Sequence, residues 1–529
     1  MESKEKKIGF LANLFQHLDG IVLIPTIIEL HKKNILKYIS KKKRCSLSDI
    51  SNKHNANEAY LNVALRLLCS QGILKQEFID NEIYFHDTSI KRLSEKLLST
   101  YQIVDPIYQN KINCKSIIND VEGQISDQNL FRTITNYNTY KKTQNTKKRK
   151  KNTYDIHVEG CVLGPIIILL SRHGYVEKII ENQKIVLNIN NQWKKEILNM
   201  FFYSNICDGN YCLTEYGQFL LKRATSYGVT VSYMPTYRNI HNLLYGNPTV
   251  LWSSTEEEEK HVDRSMNVWG SGGAHKTYFK KIDKIIIDLF NLPLEKQPKG
   301  FIDIGCGNGK LIEHIFDLIY YKTIRGKHLK KNPLFIVGSD FNYKALEATK
   351  DTINKADIWA KTAFGDISEP TQLAKKLKKK YNIDLCDLLN MRSFLDHNRI
   401  YTTPKFKNTT QIQSTGAFCH KGKRLHNNDV QQNLKEHFEK WYPYLSKYGL
   451  LIVELHTIDP NVASRNIGKT AITAYDASHG FSDQYIIEYN IFLKIILEVG
   501  LQPDPLHEYT FPNKEIPIVS INRLIPKLI

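Results

Sequence analysis

The sequence predicts an α/β protein, a mostly parallel sheet with helices on both faces, behind an N-terminal helical and winged-helix-like region. Three observations carry that prediction. From Gly300 onward, apolar runs of strand length ("GFIDIG", "PLFIVGSD", "AKTAFGD", "IDLCDLLN", "LLIVELH") alternate with helical stretches, the pattern of a sheet covered on both sides. The first of these runs ends in "GFIDIGCGNGKLIEHIF", which sets an acid and three close glycines where a strand hands over to a helix. Upstream, "GIVLIPTIIELHKKNILKYI" (Gly20–Ile39) is echoed 140 residues later by "GCVLGPIIILLSRHGYVEKI" (Gly160–Ile179), so one helical unit occurs twice.

The length of 529 residues exceeds one ordinary core and suggests several domains. Each copy of the repeat continues into an amphipathic helix, a polar turn, a short strand ("EIYF" or "NYCL") and a further capped helix, the outline of a winged helix. Neither would-be recognition helix is dense in Arg or Lys, so packing is favoured over DNA reading. The boundaries read as a first helical unit over 1–139, a basic linker over 140–156 and a second helical unit over 157–226. A connecting, lid-forming region follows over 227–298, then the sheet domain over 299–529. The formal charge of +19 is concentrated in runs such as "YKKTQNTKKRKKN" (Tyr140–Asn152) and "KKLKKK" (Lys375–Lys380), which read as solvated linkers and helix faces; nucleic acid is not the expected partner. Nine scattered cysteines with no C-x-x-C pair fit a reducing, cytoplasmic setting. The longest apolar runs are about half the ~20 residues a bilayer span needs, so no membrane segment is expected.

The strand-to-helix turn has the spacing D-x-G-x-G-x-G: Asp303, Gly305, Gly307 and Gly309. A dinucleotide site asks for a third glycine where this chain has Lys310. An acid two residues ahead of the first glycine suits S-adenosylmethionine instead, whose ammonium needs a carboxylate. Asp340, closing the second strand, can accept from both ribose hydroxyls. Asp366, after the third, can accept from the adenine amino group with Ile367 against the ring, or cap a helix. Phe341 and Asn390 complete the cofactor-binding set expected on the sheet, and Trp269 and Tyr278 are assigned to a Gly/Ser-rich lid, "NVWGSGGAH", near the methionine end.

Over 262–529 the sequence resembles the class I S-adenosylmethionine-dependent methyltransferases, a Rossmann-like fold. The stretches "HVDRSMNVWGSGGAHKTYF", "MRSFLDHNR", "STGAFCHKGKRLHNNDVQQNLKEHFEKW", "LLIVELHTI" and "YDASHGFSDQY" make it similar to a narrower group, the apratoxin-type methyltransferase domains of polyketide synthase loading modules. That resemblance implies carbon methylation of a malonyl-type thioester held by a mononuclear metal, iron or manganese, which would stabilise the enolate as a Lewis acid. His456, His479 and Gln484 are the expected ligands, two imidazoles and an oxygen donor; His456 reads equally as a general base or a structural histidine. His397 in "FLDHNR" is a second catalytic candidate, where a base or substrate contact fits as well as packing. No carrier segment follows Ile529, so a free and a carrier-bound acyl substrate both stay open, as do an acyl carrier protein and a second copy of the chain as partners. Two other readings compete with carbon methylation: a metal-free small-molecule O- or N-methyltransferase, and a nucleic-acid-binding regulator with a cofactor-sensing fold.

Overall fold

The computed structural model describes residues 2–79, 82–109, 114–146, 152–252, 259–407 and 413–527. It divides into two compact units: Met1–Ala274 with Lys421–Arg424 and Pro460–Ser482, and His275–His420 with Leu425–Asp459 and Asp483–Ile529.

The first unit is built on two long apolar helices, α1 (Glu2–Lys32) and α2 (Thr153–Arg172), each with an internal proline at equivalent places, Pro25 and Pro165. They are the two copies of the repeat, and they cross at its glycines. A Cβ on Gly20 would lie 2.4 Å from the Cα of His157, and one on Gly160 would lie 2.4 Å from the carbonyl oxygen of His17. The crossing is therefore reciprocal, with "HLDG" facing "HVEG", and only glycine lets the backbones approach so closely. Each histidine then meets a tyrosine: His17 Nδ1 lies 2.6 Å from the Tyr227 hydroxyl and His157 Nδ1 lies 2.8 Å from that of Tyr101. Both helices are long and apolar enough to cross a membrane by length and composition, which the shorter apolar runs within them do not suggest; 72% and 83% of their apolar windows are buried in the fold.

A winged helix follows α1. Ser46 and Asn57 cap the helices Leu47–His54 and Glu58–Ser70 through their side-chain oxygens. Strands β1 (Arg44–Ser46), β2 (Leu74–Ile79) and β3 (Glu82–Asp87) form the wing, in the order β1-β3-β2. The helix Glu58–Ser70 is buried at every residue from Ala59 to Ser70. In the second copy the expected "NYCL" strand forms only isolated bridges, because Asp208 accepts from the backbone of Asn210 and Cys212 and tightens the turn. The start of the expected basic linker is likewise helical, within Gln128–Thr146, and Lys141 turns inward; residues 147–151 lie outside the described residues. The expected lid loop is replaced by one helix, Arg264–Phe290.

The second unit holds a seven-stranded sheet of β4 (Gly300–Ile304), β5 (Phe335–Asp340), β6 (Lys361–Phe364), β7 (Leu388–Ser393), β8 (Leu450–Leu455), β9 (Leu501–Phe511) and β10 (Val519–Pro526), in the order β9-β10-β8-β7-β4-β5-β6. The pairs from β8 to β6 are parallel, while β10 runs antiparallel to both β8 and β9. On one face α5 (Pro370–Tyr381), α6 (Asn427–Leu445) and α7 (Tyr489–Val499) bury Leu377, Trp441 and Ile495 against Ile302, Val337 and Ile452. On the other, α3 (Lys310–Lys322) sets Ile312 against Gly338, and α4 (Tyr343–Lys355) sets Thr349 there. All nine cysteines are free thiols.

Candidate active site

The site lies beyond the carboxyl ends of β4, β5 and β7, where ligands of such sheets sit. Gly305, Gly307 and Gly309 have φ of 77°, 56° and 75°, left-handed values that favour glycine, and Gly309 stands at the N-cap of α3. The backbone amides of Gly305 and Cys306 donate to the Ser339 carbonyl, and that of Gly307 donates to Asp340 Oδ2 at 3.1 Å, so the turn is tied to the end of β5.

Asp303 is 2% exposed, and no hydrogen bond or ion pair compensates its carboxylate among the described residues. Burial, with the charge of Asp340 alongside, pushes it up to about 7. Two neighbouring carboxylates, one of them buried and unpaired, fit a ligand that brings positive charge, as the ammonium and sulfonium of S-adenosylmethionine do. Asp340 also accepts from the amide of Asn342 at 2.9 Å.

Asp366 is half-buried in a turn ahead of α5, where Oδ1 accepts from the Ser368 amide at 2.7 Å; the helix N-cap is Glu369. Ile367 is 9% exposed at the margin of the apolar core, and its carbonyl accepts from Trp441 Nε1 at 2.7 Å. Phe341 is 63% exposed beside Phe364. Asn390 is fully buried and donates to the carbonyls of Leu385, Leu388 and Tyr444 at the opposite end of β7, which makes it a structural residue instead of a cofactor contact. Tyr278 packs edge-on against Phe394 and Phe511, just past β7 and at the end of β9. Trp269 belongs to the first unit, where its ring lies against Gly228.

At the ends of β7 and β8 stands a pair the sequence half reveals. His397, buried, places Nδ1 2.5 Å from Glu454 Oε1, and its backbone amide donates to Oε2 at 3.3 Å. The Leu455 amide donates to Oε1 at 2.7 Å. Nδ1 thus faces a carboxylate, and Nε2 lies 3.2 Å from Asn398 Nδ2. Beneath lies a buried charge cluster: Arg392 stacks on Trp441 at 3.9 Å and donates to Asp396, which also faces His437 Nε2 at 2.9 Å. Although burial opposes it, the Arg392 guanidinium holds the Asp396 carboxyl below the usual range. Glu454 is legible as an acid inside the apolar "LLIVELH", two residues before His456; Arg392 and Asp396 lie within "MRSFLDHNR", but their pairing shows only once folding brings them together.

The metal-ligand set meets an obstacle at His456. Its Nδ1 donates to the Ile487 carbonyl at 3.2 Å and its Nε2 lies 2.8 Å from Ser520 Oγ, back along the sheet, between the rings of Tyr489 and Phe492. Burial pushes the imidazole down to about 3, so it is neutral and both nitrogens are spent within the protein. As placed, it does not fit a metal. His479 belongs to the first unit, its Nδ1 2.6 Å from the Tyr475 carbonyl, while Gln484 is buried in the second. Among the described residues there is no cluster of three or more His, Cys, Asp or Glu able to hold a metal.

Three family models match along the chain: an AprA N-terminal domain over residues 10–76, an AprA winged helix domain over 159–247 and an AprA MT2-like domain over 259–522. No curated protein matches. Solved structures with similarity include an O-methyltransferase family protein from Burkholderia thailandensis (10% identity, 67% of this chain and 94% of that one, TM-score 0.35). Another is an O-methyltransferase family 2 protein from Planctomyces limnophilus (9%, 98% and 95%, TM-score 0.36), and a third is the CurJ carbon methyltransferase (13%, 74% and 96%, TM-score 0.30). Residues 259–522 belong to the AprA MT2-like domain family, preceded by matches to the AprA N-terminal and winged helix domains, and the chain is an S-adenosylmethionine-dependent methyltransferase.

Proposed function

We propose that this chain transfers a methyl group to the α-carbon of a small acyl thioester, malonyl-like, or of a related carboxylate. The acyl class rests on the resemblance to the apratoxin-type domains. The observation that carries the chemistry is the His397–Glu454 pair at the ends of β7 and β8. S-adenosylmethionine, when bound, supplies an electrophilic methyl on a sulfonium. Asp303 and Asp340 grip the cationic cofactor and fix its direction, and the aromatic wall of Tyr278 and Phe394 limits water at the transfer point. A carbon acid becomes a nucleophile only on losing its proton. His397 Nε2 accepts that proton once the Asn398 amide swings aside, and Glu454 stabilises the imidazolium that forms. Iron or manganese on His456, His479 and Gln484 is not used in this reading, because His456 offers no free nitrogen where it stands.

The same base serves an oxygen or nitrogen acceptor, which keeps metal-free O- or N-methylation as a second reading. A nucleic-acid role draws no support from the first copy, whose helix Glu58–Ser70 is buried from Ala59 to Ser70. The test is incubation of purified chain with labelled donor and a panel of malonyl, acetyl and propionyl thioesters, with hydroxyl and amine acceptors alongside and metal measured on the same sample. His397→Ala is expected to lower turnover about 10²–10⁴-fold with cofactor affinity kept. Full turnover in His397→Ala, together with loss of both metal and turnover in His456→Ala, would return the reaction to the metal.

A further inference from the structure

Strand β6 ends the sheet, and a groove of about 700 Å³ runs along it between α4 and α5. Leu346, Ile353 and Ala363 lie buried beneath it, and the apolar surface it leaves open is aromatic: Tyr343, exposed and stacked on Phe364 at 4.9 Å, with Phe364 and Tyr381 half-buried. Its rim is basic, carrying Lys350, Lys361, Lys376 and Lys380 against one acid, Glu347. We propose that this groove docks an acidic amphipathic helix of a partner protein.

The form of the occupant is set by the groups the edge still offers. An added strand would need the outward carbonyls of β6, and two are already taken: Thr362 O accepts from the Tyr381 hydroxyl at 3.0 Å, and Phe364 O from Lys376 Nζ at 2.8 Å. Side-chain surface stays available, the geometry in which a helix lays its apolar face into a groove. From Tyr343 to Asn354 the α4 wall runs roughly 17 Å, which matches about three turns of a docked helix.

Charge sets the chemistry. Helix α5 carries Lys375, Lys376, Lys378, Lys379 and Lys380. Lys378 is paired with Asp384 and Lys376 is spent on Phe364 O, while Lys380, 4.9 Å from the Tyr381 ring, and Lys361 remain as exposed rim cations. Carboxylates on the polar flank of an incoming helix would meet these lysines while its apolar stripe covers the rings of Tyr343, Phe364 and Tyr381. A nucleic acid would match the charge but not the apolar surface, and no arginine lines the groove among the described residues.

The experiment uses the full chain and a panel of fluorescent synthetic helical peptides of about three turns, Leu/Ile on one face and Glu/Asp on the other. Anisotropy is read at low and high salt, with Glu→Gln versions of each peptide and a single-stranded oligonucleotide as separate arms. Binding by acidic peptides is expected to weaken at least tenfold in the Gln versions, at high salt and in the Lys361→Glu/Lys380→Glu chain, with cofactor affinity unchanged. Lys350→Glu, on the opposite wall, should weaken it in the same direction. No binding by any acidic peptide, binding indifferent to these reversals, or an oligonucleotide bound more tightly with the same lysine dependence would each overturn the proposal.

Discussion

Glu159 and Asp303 are both carboxylates sealed inside the protein, and they are treated in opposite ways. Glu159, at the α1–α2 crossing, has Lys141 Nζ at 2.9 Å, the Tyr137 hydroxyl at 3.3 Å and His17 Nε2 at 3.4 Å. Asp303, at the cofactor turn, has neither cation nor donor among the described residues, and its neighbour is another acid. A buried charge costs several kcal/mol unless it is paired. The helical unit meets that cost internally, while in the sheet domain no counter-charge reaches Asp303 among the described residues. The contrast separates a charge paired within the fold from one that, on the proposed function, a cationic cofactor would pair.

Breaking the first half of the comparison should give the largest effect. Glu159→Ala strands Lys141 in the core and is expected to destabilise the chain by ~3–5 kcal/mol, read as a lowered denaturant midpoint. In whatever remains folded, cofactor affinity should be unchanged.

The matching change at the site should do the reverse. Asp303→Asn removes the uncompensated charge, so the ligand-free protein is expected to melt higher at pH 8, while calorimetry shows cofactor binding weakened on the order of a hundredfold, ~3 kcal/mol. Equal destabilisation by both substitutions would erase the distinction.

The smallest and sharpest effect is in pH. The Asp303 carboxyl is raised in the fold to about 7, against 3.8 for a free aspartate, so between those values the folded state holds a proton the unfolded chain has lost. That contribution to stability is present at low pH and is lost as pH rises through about 7. On the proposed grip, cofactor binding needs the ionised form, so affinity should fall toward tenfold per pH unit below 7, ~1.4 kcal/mol, and this slope should vanish in Asp303→Asn. A flat profile in the native chain would remove Asp303 from the cofactor's grip.

The interior strands β4, β5 and β8 are legible because a parallel strand covered on both faces is apolar throughout and shows as an unbroken run; edge strand β6 shows less cleanly, and the run "IDLCDLLN" overlaps only the start of β7, which continues through "MRS". Strands β9 and β10 are not legible in the same way. Pro503, Pro505 and the charges of Leu501–Phe511 look like loop, and such a strand survives because it lies at the sheet's edge, where a missing amide costs little. The glycine turn shows through its spacing, and the repeat through its glycines. The lid is misleading, since the three glycines of "GSGG" mask the helical propensity of the adjoining run "KTYFKKIDKIIIDLF", and packing of Ile282, Ile285 and Leu289 draws the segment into Arg264–Phe290.

By itself the sequence determined the sheet class, the duplicated helix with its proline, and the acid-glycine turn, because each is written in local spacing and in the period of burial. Tertiary structure alone decided which acids are paired, that His397 meets Glu454 while both nitrogens of His456 are engaged within the protein, and that Asn390 bonds the backbone at the far end of β7. A carboxylate, an imidazole or an amide is named by the sequence, but its role depends on partners tens or hundreds of residues away, and only folding chooses them.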